Sequence, residues 1–156
     1  MTPEGPLDYY RSQACVPQWR GFLHALGAEF EQALDPSDRA RLMARIGARF
    51  AEAHPLPAVA SLDALQAAAN AVWSSLEWGY GSFEEQQDRV LIRHGASPLA
   101  TVLGTGSACA DGFLEGVYRQ WFQAAGMSAG LDVRSGAAES ADVSTFILSR
   151  TSDPVW

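Results

Sequence analysis

The sequence contains no lysine, and its eleven basic residues are arginines scattered along the chain. A nucleic-acid interface needs a basic face to neutralise phosphates. None is supplied here, because the net charge is −7 and the isoelectric point about 4.8. Docking on an anionic lipid surface is disfavoured on the same ground. Cysteine is scarce too. Cys15 and Cys109 stand far apart, which excludes a disulfide framework. The opening MTPEGPLDYY lacks a basic n-region and an apolar h-region, so no secretory signal is expected. No apolar run approaches the roughly 20 residues of a membrane span. These absences point to a cytoplasmic protein with free thiols and no direct membrane insertion.

What is present suits one folded domain. The chain has 156 residues, 47% of them hydrophobic, with five Trp. A chain of this size can bury roughly 70% of its unfolded surface. Residues 1–18 show no period and read as a flexible N-terminal tail holding Tyr9, Tyr10 and Arg11. Residues 19–150 read as a single domain, and 151–156 as a C-terminal tail.

Within the domain the periodicity predicts four long helices. The first spans 19–34, with Phe22, Leu23, Leu26, Phe30 and Leu34 on one stripe. Asp35-Pro36 offers an N-cap and an N1 proline for the second, which His54-Pro55 stops. The third runs to Leu76, capped by Ser61 or Asp63, and is rich in alanine, which allows close packing. Period-two segments at 78–83 and 89–95 predict two antiparallel strands. Residues 95–108 read as a turn-prone crossover. A fourth helix follows at about 111–125, where Phe113/Leu114, Val117/Tyr118 and Trp121/Phe122 recur every four residues. Two further strands are expected at 131–135 and 144–150. The order predicts an α+β fold, N-terminal helices followed by a β-β-α-β-β unit, with helices packed on an antiparallel sheet.

The chain carries no convincing catalytic constellation. Glu84, Glu85 and Asp88 beside Arg89, Arg93 and His94 could serve acid–base chemistry in a cleft, but a solvated turn between strands has the same composition. His24, His54 and His94 lack metal-ligand spacing and read as isolated surface or packed imidazoles. Cys109, at a helix start, is either activated by the dipole or simply buried, and burial is the favoured reading. Gly104-Thr105-Gly106 is followed by no Gly-Lys-Ser/Thr, so a crossover loop is the better reading than a phosphate loop. No catalytic residue, metal site or cofactor is therefore expected. The aromatic stripe of residues 113–122 reads first as core, with a self-association face as the alternative.

Trp78-Gly79-Tyr80, the run Leu114-Glu115-Gly116-Val117-Tyr118-Arg119-Gln120-Trp121 and Phe146-Ile147-Leu148-Ser149-Arg150 together resemble the D subunit of bacterial cellulose synthase, over about residues 19–150. The resemblance implies a non-enzymatic accessory subunit. It implies a homo-octamer, a tetramer of dimers, forming a ring that organises synthase complexes and β-1,4-glucan chains for export and ribbon assembly. It implies contact with glucan, or with a partner's extended segment, at Tyr9, Tyr10 and Arg11. It also implies cellulose synthase subunits and associated scaffold proteins as partners. Trp78, Tyr80, Tyr118 and Trp121 are then candidate interface residues, and Trp78 and Tyr80 are expected to share one face. The inner membrane's cytoplasmic side is the expected location, with the periplasm as alternative. The strand–strand–helix–strand–strand order is also similar to small-molecule-binding domains related to 4-vinyl reductases, though the paired Cys of that group are missing.

Overall fold

The computed structural model describes residue 9 and residues 15–105, 107–127, 130–137, 140 and 142–150. Three helices lead: α1 (Pro17–Ala33), α2 (Pro36–Ala53) and α3 (Leu62–Leu76). A hairpin follows, β1 (Tyr80–Glu85) and β2 (Val90–Gly95). Then come a short α4 (Leu99–Leu103), the long α5 (Ser107–Ala124), and strands β3 (Leu131–Ser135) and β4 (Val143–Arg150). The four strands form one antiparallel sheet in the order β1-β2-β4-β3. The α+β class holds. Two details differ from expectation: α4 occupies the stretch with the composition of a turn-prone crossover, and α5 begins before residue 111. Leu103 explains the first, since its burial anchors that short turn of helix to the core.

Local signals set most helix ends. The Asp35 carboxylate accepts the Asp38 N–H at 2.8 Å, with Pro36 next in line. The Ser61 hydroxyl accepts the Ala64 N–H at 3.1 Å. Glu77 adopts a left-handed conformation after α3, with φ 57°, and Gly79 follows at φ 82°. These two residues turn the chain, so β1 starts at Tyr80 rather than 78. They also separate the expected pair: Trp78 packs into the core, whereas Tyr80 is 56% exposed. Two residues on one face of a strand require extended backbone between them, and Gly79 does not supply it.

Helices α2 and α5 approach until backbone meets backbone. A Cβ added at Gly47 would lie 2.1 Å from the Phe113 carbonyl oxygen, and one at Gly116 would lie 2.0 Å from that of Ala44. Close packing on small residues thus belongs to α2 and α5, rather than to the alanine-rich α3. Above this crossing sits an aromatic core. Phe50, Trp73 and Trp78 stack with centroids 5.6–6.0 Å apart, and Tyr118 and Trp121 lie beside Trp73. Offset and edge-on ring pairs of this kind add roughly 0.5–1.5 kcal/mol each beyond area burial.

Both edges of the sheet are occupied by helix side chains. On β1, Gly81 donates its N–H to Asn70 Oδ1 at 2.7 Å and accepts from Asn70 Nδ2 at 2.8 Å. Two residues on, Phe83 N–H donates to Gln66 Oε1 at 2.8 Å. On β3, Arg119 Nη2 donates to the Val133 carbonyl at 2.7 Å, and Ser135 N–H donates to Glu115 Oε2 at 3.2 Å. Each pair of side chains is one helical turn apart. Four helical residues rise about 6 Å and two strand residues about 6.7 Å, so one turn of helix spans one repeat of a strand edge.

Two tests follow. Gly47→Ala and Gly116→Ala each lower the unfolding free energy by about 2 kcal/mol or more, because overpacking outweighs the helix-propensity gain. Gly21→Ala, with open space around it, raises it by about 0.5–1 kcal/mol. Denaturant titration checks both signs. The double change Gln66→Ala/Asn70→Ala removes three hydrogen bonds from an edge strand. It costs about 2–3 kcal/mol and brings concentration-dependent light scattering.

Candidate functional site

His94, on β2, is 1% exposed. In sequence it stands among the charges of the hairpin turn, Glu84, Glu85 and Asp88. The structure separates them. β2 alternates, so Arg93 faces outward and meets Glu84 at 2.7 Å, while His94 faces the helices. There its Nε2 lies 2.8 Å from the Trp78 carbonyl oxygen and its Nδ1 lies 2.5 Å from Tyr118 Oη. Trp73 Nε1–H donates to the same Tyr118 oxygen at 3.2 Å.

The proton positions follow from what each group can do. A carbonyl only accepts, so Nε2–H donates to Trp78. Nδ1 is then bare and accepts the Tyr118 O–H. Burial lowers the His94 pKa from 6.5 to about 4, against the Trp78 hydrogen bond that favours the charged form. Burial pushes the Tyr118 phenol well above its ordinary value, opposed by the Trp73 bond. Both groups are therefore neutral at physiological pH, and Trp73, His94 and Tyr118 are closed off from solvent. The network holds the Trp78 turn against α5.

Tyr118 and Trp121, expected at an interface, belong to this interior. They are 0% and 3% exposed. The Trp121 indole N–H also donates to the His54 carbonyl at 3.0 Å. Trp78 is half-buried against the same cluster. Of the four, Tyr80 is the exposed one, and part of its ring lies over the Cβ-less Gly95 across the hairpin. Tyr9 is 61% exposed. Tyr10 and Arg11 lie outside the described residues.

The strongest exposed feature is one that periodicity alone does not reveal. Helix α1 buries Gly27 alone, and its first turns present Val16, Trp19 and Phe22 at 59%, 52% and 60% exposure. Trp19 and Phe22 pair edge-on at 6.3 Å. The apolar stripe predicts an inward Phe22. However, α1 rests on Gly27 against the Leu103 carbonyl, and that contact turns Trp19 and Phe22 outward. Exposed aromatic side chains in succession mark a contact surface.

Cys109 is buried, and burial raises its thiol pKa, with the Thr105 hydrogen bond opposing. Among the described residues no group of three or more His, Cys, Asp or Glu gathers to hold a metal ion. A groove of about 560 Å³ runs between α2 and α5, lined by Arg41, Arg45 and Arg119 among others; Arg41 pairs with Asp38, and Arg119 with Glu115 and Asp132. No helix among the described residues is long and apolar enough to cross a membrane.

The family model that describes the D subunit of cellulose synthase matches residues 6–148. That range reaches into the N-terminal segment, beyond the stretch whose motifs carry the resemblance. No curated protein matches the chain.

The buried imidazole has a measurable signature. Unfolded, His94 takes a proton near pH 6.5; folded, it resists until about pH 4. Between those values the unfolded chain binds more protons, so stability falls as pH falls. The contribution is whole above pH 6.5 and gone below pH 4. Wild-type protein therefore loses about 3 kcal/mol more across this window than His94→Gln does, read from denaturant midpoints at stepped pH.

Proposed function

The chain belongs to the family of the cellulose synthase D subunit, and from that premise we propose that it is a non-catalytic subunit whose copies close into a ring. Its role in cellulose synthesis is accessory, in association with the synthase complex. The ring is an octamer, a tetramer of dimers, that organises synthase complexes and their glucan chains so that ribbons assemble in order. One observation carries the reading: Trp19 and Phe22 stand exposed on α1, whose fully buried residue is Gly27 alone. A monomer gains nothing from that arrangement, whereas an interface places large aromatics at its centre.

A tetramer of dimers needs two different contacts. The α1 stripe supplies one. The outward face of the sheet, with Tyr80 at one end and half-buried Leu91 and Ile147 toward the other, supplies the second. Strand addition is disfavoured, because α3 and α5 side chains already bond backbone groups of β1 and β3. Tyr9, Tyr10 and Arg11 precede α1 and meet glucan in the passageways. A phenol ring covers the apolar face of a glucose unit, and the guanidinium bonds its hydroxyls. The free thiols Cys15 and Cys109 suit the reducing, cytoplasmic side of the inner membrane.

Light scattering after size exclusion tests the assembly. Wild-type protein is expected at eight times the 16.8 kDa chain mass. Trp19→Ala/Phe22→Ala, which alters only exposed side chains, is expected to fall to a dimer or monomer with unchanged circular dichroism. A monomeric wild type sinks the ring, and an octameric double variant sinks the assignment of its interface to α1.

A further inference from the structure

The groove between α2 and α5 exists because its walls are small. Backbone meets backbone at Gly47 and Gly116, and Ala44, Ala48 and Gly116 put no bulk into the space beside that contact. Both alanines are half-buried, and Arg45, which lines the groove with them, is exposed. Among the described residues the Arg45 side chain has no ion pair or hydrogen bond, unlike those of Arg41 and Arg119. We propose that this groove receives helix α1 of a second copy of the chain, with Phe22 against Ala44 and Ala48 and with Glu29 bonded to Arg45.

Three observations choose that occupant. The first is the face that α1 presents. Gly27 is its buried residue, and at about 100° per residue Phe22 and Glu29 lie roughly 20° apart on the opposite side of the helix. Exposed Ala25 falls between them, and exposed Trp19 flanks Phe22 about one turn earlier. The face thus has an aromatic end and an acidic end joined by a small residue. Like Arg45, the Glu29 side chain has no ion pair or hydrogen bond among the described residues. The second observation is length. Phe22 to Glu29 is seven residues, and so is Gly116 to Gln123, the stretch of α5 that lines the groove. Seven helical residues rise about 10 Å. The third is charge. The chain carries a net −7, so two copies repel except where opposite charges meet. Four of the eleven basic residues lie on α2, at Arg39, Arg41, Arg45 and Arg49, and that helix is where an acidic neighbour is attracted. A guanidinium fork and a carboxylate form a two-pronged, charge-assisted bond. Within its own chain α1 contributes nothing to the lining of the groove, and its Phe22 face points away from the body on which Gly27 rests, so a neighbour's α1 is the one that fits. An amphipathic helix laid in a groove is a recurrent mode of recognition. The inference rests on the ring reading, and it gives the exposed α1 aromatics their receptor.

Charge exchange on the full chain tests it, read as mass by light scattering after size exclusion. Glu29→Arg and Arg45→Glu each alter one exposed side chain, and circular dichroism is expected to stay unchanged. Each variant alone is expected to lose at least half of the wild-type mass, because like charges then face each other across the contact. Both changes in one chain are expected to recover that mass, and so is an equal mixture of the two single variants, in which copies alternate. Ala48→Trp fills the groove without touching a charge and is expected to lower the mass as well. Single variants and Ala48→Trp that keep the wild-type mass overturn the proposal and leave the ring intact. Single variants that dissociate with no recovery in the exchanged chain or the mixture overturn it too, since Glu29 and Arg45 then meet other groups. A wild type that is monomeric from the outset removes the second copy, and the ring and this contact fall together.

Discussion

The sheet depends on having its margins closed. A four-stranded antiparallel sheet has two open sides, each a row of unpaired N–H and C=O groups that invites another strand. Here α3 answers one side with Gln66 and Asn70, and α5 answers the other with Glu115 and Arg119. The solution is geometric before it is chemical, since one helical turn is nearly commensurate with two residues of strand. It also fixes each helix along the sheet, because a slip of one strand residue would turn the bonded groups away. The Trp73 to Phe83 region and the α5 to β3 region are thereby locked at both flanks. Assembly, where it occurs, is left to side-chain faces.

Between those margins the interior is held by two dissimilar contacts. Glycine and alanine bring α2 and α5 together on backbone, which leaves little volume there for side chains. The bulk is displaced toward the sheet, where Trp73, Tyr118, Trp121 and Phe146 fill it. A core so rich in aromatic rings contains N–H and O–H groups that need partners, and His94 is the junction that supplies them. Each buried polar atom of this junction has a complementary one, so the low dielectric that would penalise an unpaired group strengthens the bonds instead.

Much of this is legible from local signals, and the remainder is not because it is non-local. Asp35-Pro36 and Ser61 announce helix starts through contacts three residues long. Val90–Gly95 and Val143–Arg150 show as strands by composition. Residues 113–122 announce their helix by period, and the same period places Tyr118 and Trp121 inside, although their ring chemistry suggests an interface. His94 looks like a member of the charged turn because Arg89, Arg93 and the acidic residues surround it in sequence, while Tyr118 is 24 residues away. Phe22 misleads for a related reason. An apolar stripe says that a helix has a sticky side, but only the Gly27 contact with α4 decides which side is used up within the chain. The seals at the sheet margins leave no trace in periodicity at all, because Gln66, Asn70, Glu115 and Arg119 look like ordinary polar residues on a helix surface.

The two seals are made of different materials. The α3 pair is built from neutral amides, whose hydrogen bonds dissolved ions barely touch. The α5 pair is ionic, Glu115 with Arg119 at 2.6 Å and Arg119 with Asp132 at 2.6 Å, and salt screens partly exposed charges over about 8–10 Å. Rising ionic strength therefore loosens one flank and spares the other. The molecule has a grain: β1 is fastened at every salt concentration, while β3 is the flank from which the sheet begins to open.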